Sequence, residues 1–172
     1  MKPERKELKM KREEVLNKEI QENSILLENI VYEITSEYTR GLDEIMITCR
    51  KIFSVGPKVT DEELEDLLTQ LPCALYFVNE GQELLGLRED ISKMTKMEKY
   101  NEARKKAIGT IADKNSEAEL KVMNEELNRI IYQRCYKMVK SKIEMGQEMI
   151  NSLKRVFDAR MMEREISRGV RR

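Results

Sequence analysis

Helical periodicity runs through this chain almost from end to end, and one strong break interrupts it. Ile20, Leu27, Ile30, Val31, Ile34, Tyr38, Ile45, Cys49 and Ile52 share one stripe at about 100° per residue. Within that stripe Val31, Tyr38, Ile45 and Ile52 recur every seven residues, the spacing that keeps a seam turned toward one partner helix. The N-terminal unit, residues 1–54, therefore reads as one amphipathic helix, which Gly41 can bend without losing the phase. Gly56-Pro57 cannot continue a helix, so residues 55–60 read as a linker.

Thr60-Asp-Glu-Glu63 is a capping box that starts a short helix to Gln70, and Pro72 suits the first turn of a following helix. That helix is expected to reach Thr110 or Ala112. Residues 113–115 read as a turn, and Ser116-Glu-Ala-Glu119 as a second capping box opening a last helix that runs to about Ser167. A short turn between two long helices implies an antiparallel hairpin over residues 61–168, with 169–172 left as a basic tail. Seven Gly and three Pro are too few for a β fold with many turns. The fold class is all-α: a long antiparallel hairpin plus a long N-terminal helix, a coiled-coil or helical bundle expected to be oligomeric.

The last helix carries more apolar surface than a hairpin partner needs. One stripe holds Leu120, Met123, Leu127, Ile131, Cys135, Met138, Met145, Met149, Leu153 and Val156. A second, displaced by roughly 100°, holds Tyr132, Val139, Ile143, Ile150, Phe157 and Met161. This helix is expected to touch two neighbours, the N-terminal helix being one candidate and another copy of the chain the other. Arg134, Lys142 and Arg160 interrupt the main stripe, so they are expected at its edges or paired with carboxylates of another helix, with Arg134 and Lys142 as candidates to set register. The apolar run 71–78 is expected to be buried all round.

Chemistry is sparse. The chain has no histidine, which removes the commonest general base and metal ligand. Cys49, Cys73 and Cys135 are far apart, and three reduced thiols fit a cytoplasmic protein. The segment 81–86 lacks the Lys-Ser/Thr ending of a phosphate loop. The acidic residues at 61–66 answer a helix dipole better than they hold a metal. Neither a cofactor nor a metal nor an enzyme activity is expected.

Equal numbers of basic and acidic residues hide a zoned distribution. Residues 61–92 hold nine acidic side chains against Arg88 alone, whereas 93–114 hold seven basic and three acidic. On a helix Lys93, Lys96, Tyr100 and Arg104 fall within roughly 80° of one another, while Leu84, Leu87, Ile91, Met94 and Met97 lie on the other side, toward the expected core. Lys105 and Lys106 extend the charge. A row of cations with an aromatic between them tracks phosphates while a base stacks on the ring. A solvated face with ordinary pairs such as Glu102 with Lys106 accounts for the same pattern.

From residue 60 onward the layout resembles the UvsY recombination mediators of T-even and related phages. The shared features are a short acidic helix, the Leu71-Pro72 turn, a helix opening with Leu75-Tyr76, a basic-aromatic cluster at 96–106, and a second long helix closing on Ile150-Asn-Ser-Leu-Lys154. The resemblance covers about 110 residues and leaves the N-terminal helix without a counterpart. It implies a non-enzymatic protein of DNA recombination, repair and replication that acts in the cytoplasm of a phage-infected bacterium. Such a protein oligomerises, commonly into a ring, binds single-stranded DNA, and helps a RecA-like recombinase displace the single-strand binding protein. Its DNA contacts here would be Lys96, Lys99, Tyr100, Arg104, Lys105 and Lys106, with Lys93 added by the residue pattern. Its assembly element would be the last helix, through Leu120, Leu127, Ile131, Met138, Met145, Met149, Leu153, Val156 and Phe157. The other reading is a coiled-coil scaffold, virion or adaptor protein with no nucleic-acid role.

Overall fold

The computed structural model describes the backbone of residues 3–54 and 59–169, and the side chains of residues 21–51, 53–54 and 59–168. The Gly56-Pro57 break, most of the linker and the tail beyond residue 169 lie outside the described residues, as do the side chains of Ile20 and Ile52 in the N-terminal stripe. Among the described residues four helices follow in order: α1 (Pro3–Ser54), α2 (Asp61–Lys106), α3 (Ile111–Lys121) and α4 (Met123–Gly169). No strand occurs among the described residues, and the chain is an all-α bundle.

The register between α2 and α4 is antiparallel. Asp61 meets Arg160, Leu75 lies against Gly146, Gly86 against Tyr136, and Lys99 meets Glu125. α1 runs parallel to α4, since Cys135 donates to the Val31 carbonyl and Lys142 reaches Thr39 and Asp43. Burial follows these three long helices. Leu42 and Cys49 of α1, Leu64, Leu67, Leu71, Leu75, Val78 and Leu85 of α2, and Ile131, Cys135, Val139, Ile143 and Leu153 of α4 form one core. The two apolar stripes of α4 thus find both neighbours within the monomer, α2 and α1.

Two glycines bring the helices close. A Cβ on Gly81 would lie 2.7 Å from Tyr38 Cδ1 and 2.8 Å from its Cβ, and a Cβ on Gly146 would lie 2.8 Å from Leu75 Cδ2. Both are buried. The backbone of α2 meets Tyr38 of α1 at the first, and the backbone of α4 meets Leu75 of α2 at the second.

Several expectations are corrected. Pro72 opens no new helix but lies inside a continuous α2. Leu64, Leu67, Leu71, Leu75 and Val78 carry one buried stripe through it, and Pro72 sits on the exposed side, where loss of its N–H bond costs least. α2 ends at Lys106, short of residues 110–112. The connection is Ala107–Thr110, with Gly109 at φ 127°, a left-handed conformation that favours glycine. The capping box is Thr110–Asp113: each backbone N–H is answered by the other residue's side chain. Residues 113–115 and Ser116 are helical instead. The last helix is divided at Val122, whose N–H reaches back only to Glu119. This break lets α3 lie on the end of α2, where Ala103, Ala107, Ala118 and Val122 are buried.

The run 71–78 is two-faced. Leu71, Leu75 and Val78 are buried, while Tyr76 and Phe77 are 63% and 67% exposed.

Candidate nucleic-acid interface

The basic segment occupies the last four turns of α2, and its orientation is the reverse of the expected one. Leu84, Leu87, Ile91, Met94 and Met97 are all more than half exposed. Lys96 and Tyr100 are half-buried and turn toward α4. The physical reason lies across the groove, where α4 begins with Glu125 and Glu126. Lys96 Nζ lies 3.0 Å from Glu126 Oε2, and Lys99 Nζ pairs with Glu125 Oε1. Lysine at this interface is tolerated because a carboxylate meets it.

Glu126 is the centre of a wider cluster. Arg129 grips it in two parallel bonds of 2.9 Å each and extends to Glu89 at 4.0 Å. The Arg129 hydrogen bonds, followed by the bond from Lys96, hold the Glu126 carboxyl down at about 2. The Lys99 hydrogen bond likewise lowers Glu125. Glu89, Glu125, Glu126 and Arg129 carry no signal of their own in the sequence, since only the observed register brings them level with the lysines.

The seven candidate contacts therefore divide. Lys96 and Lys99 are committed to α4. Lys106 pairs with Glu102 at 3.5 Å across one turn, as the spacing suggests. Lys93, Arg104 and Lys105 are exposed and enter no ion pair among the described residues. Lys93 and Tyr100 line an open groove of about 1020 Å³ between α2 and the start of α4, whose walls include Met97, Met123, Leu127 and Ile130. Arg104, Lys105 and Lys106 stand at the C-terminal end of α2, where cations answer the helix dipole. Beyond them Ile108 and Ile111 are 93% and 72% exposed. What remains free is a cationic hairpin end with one aromatic groove beside it.

The second basic region, at the end of α4, is also partly spent. Arg160 Nη1 donates to the Val59 carbonyl at 2.5 Å and lies 3.3 Å from Asp61 Oδ1, and Arg164 pairs with the other Asp61 oxygen. These contacts fasten the end of α4 to the start of α2. Asp61 is accordingly turned inward, leaving Glu62, Glu63, Glu65 and Asp66 as the acidic side chains exposed at the start of α2. No group of acidic or cysteine side chains suited to a metal ion occurs among the described residues.

The assembly residues expected on the last helix are largely used within the monomer. Ile131 and Leu153 are buried, Met149, Val156 and Phe157 pack on the core, and Met138 is half-buried. Leu120, Leu127 and Met145 alone of that set are exposed. Of the three stripe-interrupting cations, Lys142 and Arg160 have carboxylate partners, whereas Arg134 is exposed. No helix among the described residues is long and apolar enough to cross a membrane.

Comparison with protein-family models, with curated proteins and with solved structures gave no match to this chain.

Proposed function

We propose that the chain is a non-enzymatic, single-stranded-DNA-binding recombination mediator of the UvsY kind. It acts in the cytoplasm with a RecA-like recombinase and the single-strand binding protein, and works as a homo-oligomer. The observation that carries this reading is the exposed cluster Arg104, Lys105 and Lys106 at the hairpin end, with Lys93 and Tyr100 beside it on the groove. Cations in a row attract the strand through its phosphates, and a ring at their edge offers a stacking surface. Oligomerisation multiplies such weak contacts into avid binding without any chemistry.

A second reading, a coiled-coil adaptor without nucleic acid, is favoured by the ion pairs Lys96–Glu126 and Lys99–Glu125, which give two of the lysines a structural task. Fluorescence anisotropy with a labelled single-stranded oligonucleotide, across a salt series, separates the two. The mediator reading expects tight binding at low salt that weakens steeply as salt rises. A folded, helical protein that leaves the oligonucleotide free at low salt would establish the adaptor.

A further inference from the structure

The exposed apolar side chains of α2 are spaced as a coiled-coil seam. Phe77, Leu84 and Ile91 recur every seven residues, and Leu87 and Met94 follow the last two of these at three residues. With the first set at heptad position a, the second falls at d, and Glu80 occupies the d position before them. All five apolar side chains are more than half exposed. The core-facing side of the same helix, marked by Leu71, Val78, Gly81 and Leu85, is already covered. A helix needing only solubility carries polar residues on its outer face.

We infer that this seam pairs with the same seam of a second copy of the chain, parallel and in register. The flanking charges select both the occupant and the direction. Glu83 and Asp90 fall at g, and Arg88 at e. In a parallel pair each g residue faces the e residue five positions later on the other helix, which sets Glu83 of one copy against Arg88 of the other. An antiparallel pair sets g against g, and Glu83 would then face Asp90, a like charge. Arg88 is exposed at the seam's margin, its guanidinium 5.9 Å over the Tyr132 ring of α4. Ile91 at a with Leu87 at d also suits two strands.

The area is sufficient. Five such side chains expose roughly 100 Å² apiece, so two copies cover about 1,000 Å², the lower bound for a specific interface. Glu80 opposite Glu80 opposes the pairing at one layer and places its apolar weight on 84–94. The surface is distinct from the α4 residues expected to serve assembly, and the inference stands apart from any role in DNA binding.

The test uses the full chain without nucleic acid. Sedimentation equilibrium of the wild type is expected to give at least twice the mass of one chain. Leu87→Glu with Ile91→Glu is expected to cut that mass at least twofold while circular dichroism stays helical, since both side chains are exposed in the monomer. A monomeric wild type, or an unchanged mass in the double variant, would overturn the seam. Direction has its own reporter: exposed Cys73 falls at a d position two heptads before Leu87, while Cys49 and Cys135 are buried. Diamide is expected to link wild-type chains into a covalent dimer that Cys73→Ser abolishes. An assembled wild type that yields no Cys73-linked dimer would overturn the parallel arrangement.

Discussion

Lys142 Nζ of α4 stands 2.5 Å from Asp43 Oδ2 of α1 and 2.8 Å from Thr39 Oγ1, an ionic contact set into a seam that, Thr35 apart, is otherwise apolar. Thr39 donates to the same carboxylate at 2.8 Å, so the three groups satisfy one another. Parallel apolar stripes slide past each other at small cost. A lysine that must meet one carboxylate does not.

Removing half of this contact is worse than removing the charge. Asp43→Ala leaves Lys142, whose side chain is 18% exposed, without its counterion. Since Asp43 itself is 39% exposed, the loss is expected at about 1–2 kcal/mol rather than the full cost of a buried broken pair. Lys142→Met removes charge and need together and is expected within about 1 kcal/mol of wild type. Urea unfolding of both variants, followed by circular dichroism, checks the order.

Three of the helix-interior glycines, Gly41, Gly81 and Gly146, respond in opposite senses. Gly41 has open space where a Cβ would go, so Gly41→Ala is expected to stabilise by about 0.5–1 kcal/mol. Gly81→Ala presses on Tyr38 near its backbone, and Gly146→Ala on Leu75, so each is expected to destabilise by about 1–3 kcal/mol despite the better helix former. Thermal melts rank them. Destabilisation by Gly41→Ala would contradict the exposed, uncrowded site.

How much of this is legible in the sequence depends on what each feature needs. Helix content, the hairpin and the two-neighbour surface of α4 follow from periodicity alone, because apolar stripes are a local signal. The direction faced by residues 84–106 does not. Apolar Leu84, Ile91 and Met94 read as core and the lysines as solvent-facing, yet the heptad phase and the core phase of α2 differ, and both are apolar. The turn position compounds the error. Placed at 113–115 it sets Lys99 level with Arg129, whereas the observed connection sets it level with Glu125. Gly109 and the Thr110-x-x-Asp113 spacing are the signals that correct it.

The ion-pair cluster at the groove gives the fold an acid-sensitive element. Glu126 has its carboxyl lowered from 4.5 to about 2, so the ionised form is favoured by folding. Its contribution is therefore present above the unfolded value and is lost as pH falls toward 2. Glu126→Gln is expected to unfold at lower urea concentration than wild type at pH 7, and the gap is expected to narrow progressively from pH 5 to pH 2. A gap that stays constant over that range would show that the loss comes from packing rather than charge.

The same cluster divides the basic segment into two functional halves that one pair of variants separates. Lys96→Ala with Lys99→Ala takes Glu125's lysine and one of the two cations on Glu126, which keeps Arg129, so the expected outcome is lower stability, read as a lower urea midpoint. Arg104→Ala, Lys105→Ala and Lys106→Ala touch only exposed side chains and are expected to leave stability within about 0.5 kcal/mol, apart from the small dipole contribution. On the oligonucleotide the order inverts. The triple variant is expected to flatten the dependence of log affinity on log salt by about 0.7 for each phosphate that it no longer neutralises, and the Lys96/Lys99 variant, at temperatures where it is folded, to keep the wild-type slope. A slope that falls only in the Lys96/Lys99 variant would mean that the strand opens the α2–α4 groove and takes the lysines from Glu125 and Glu126.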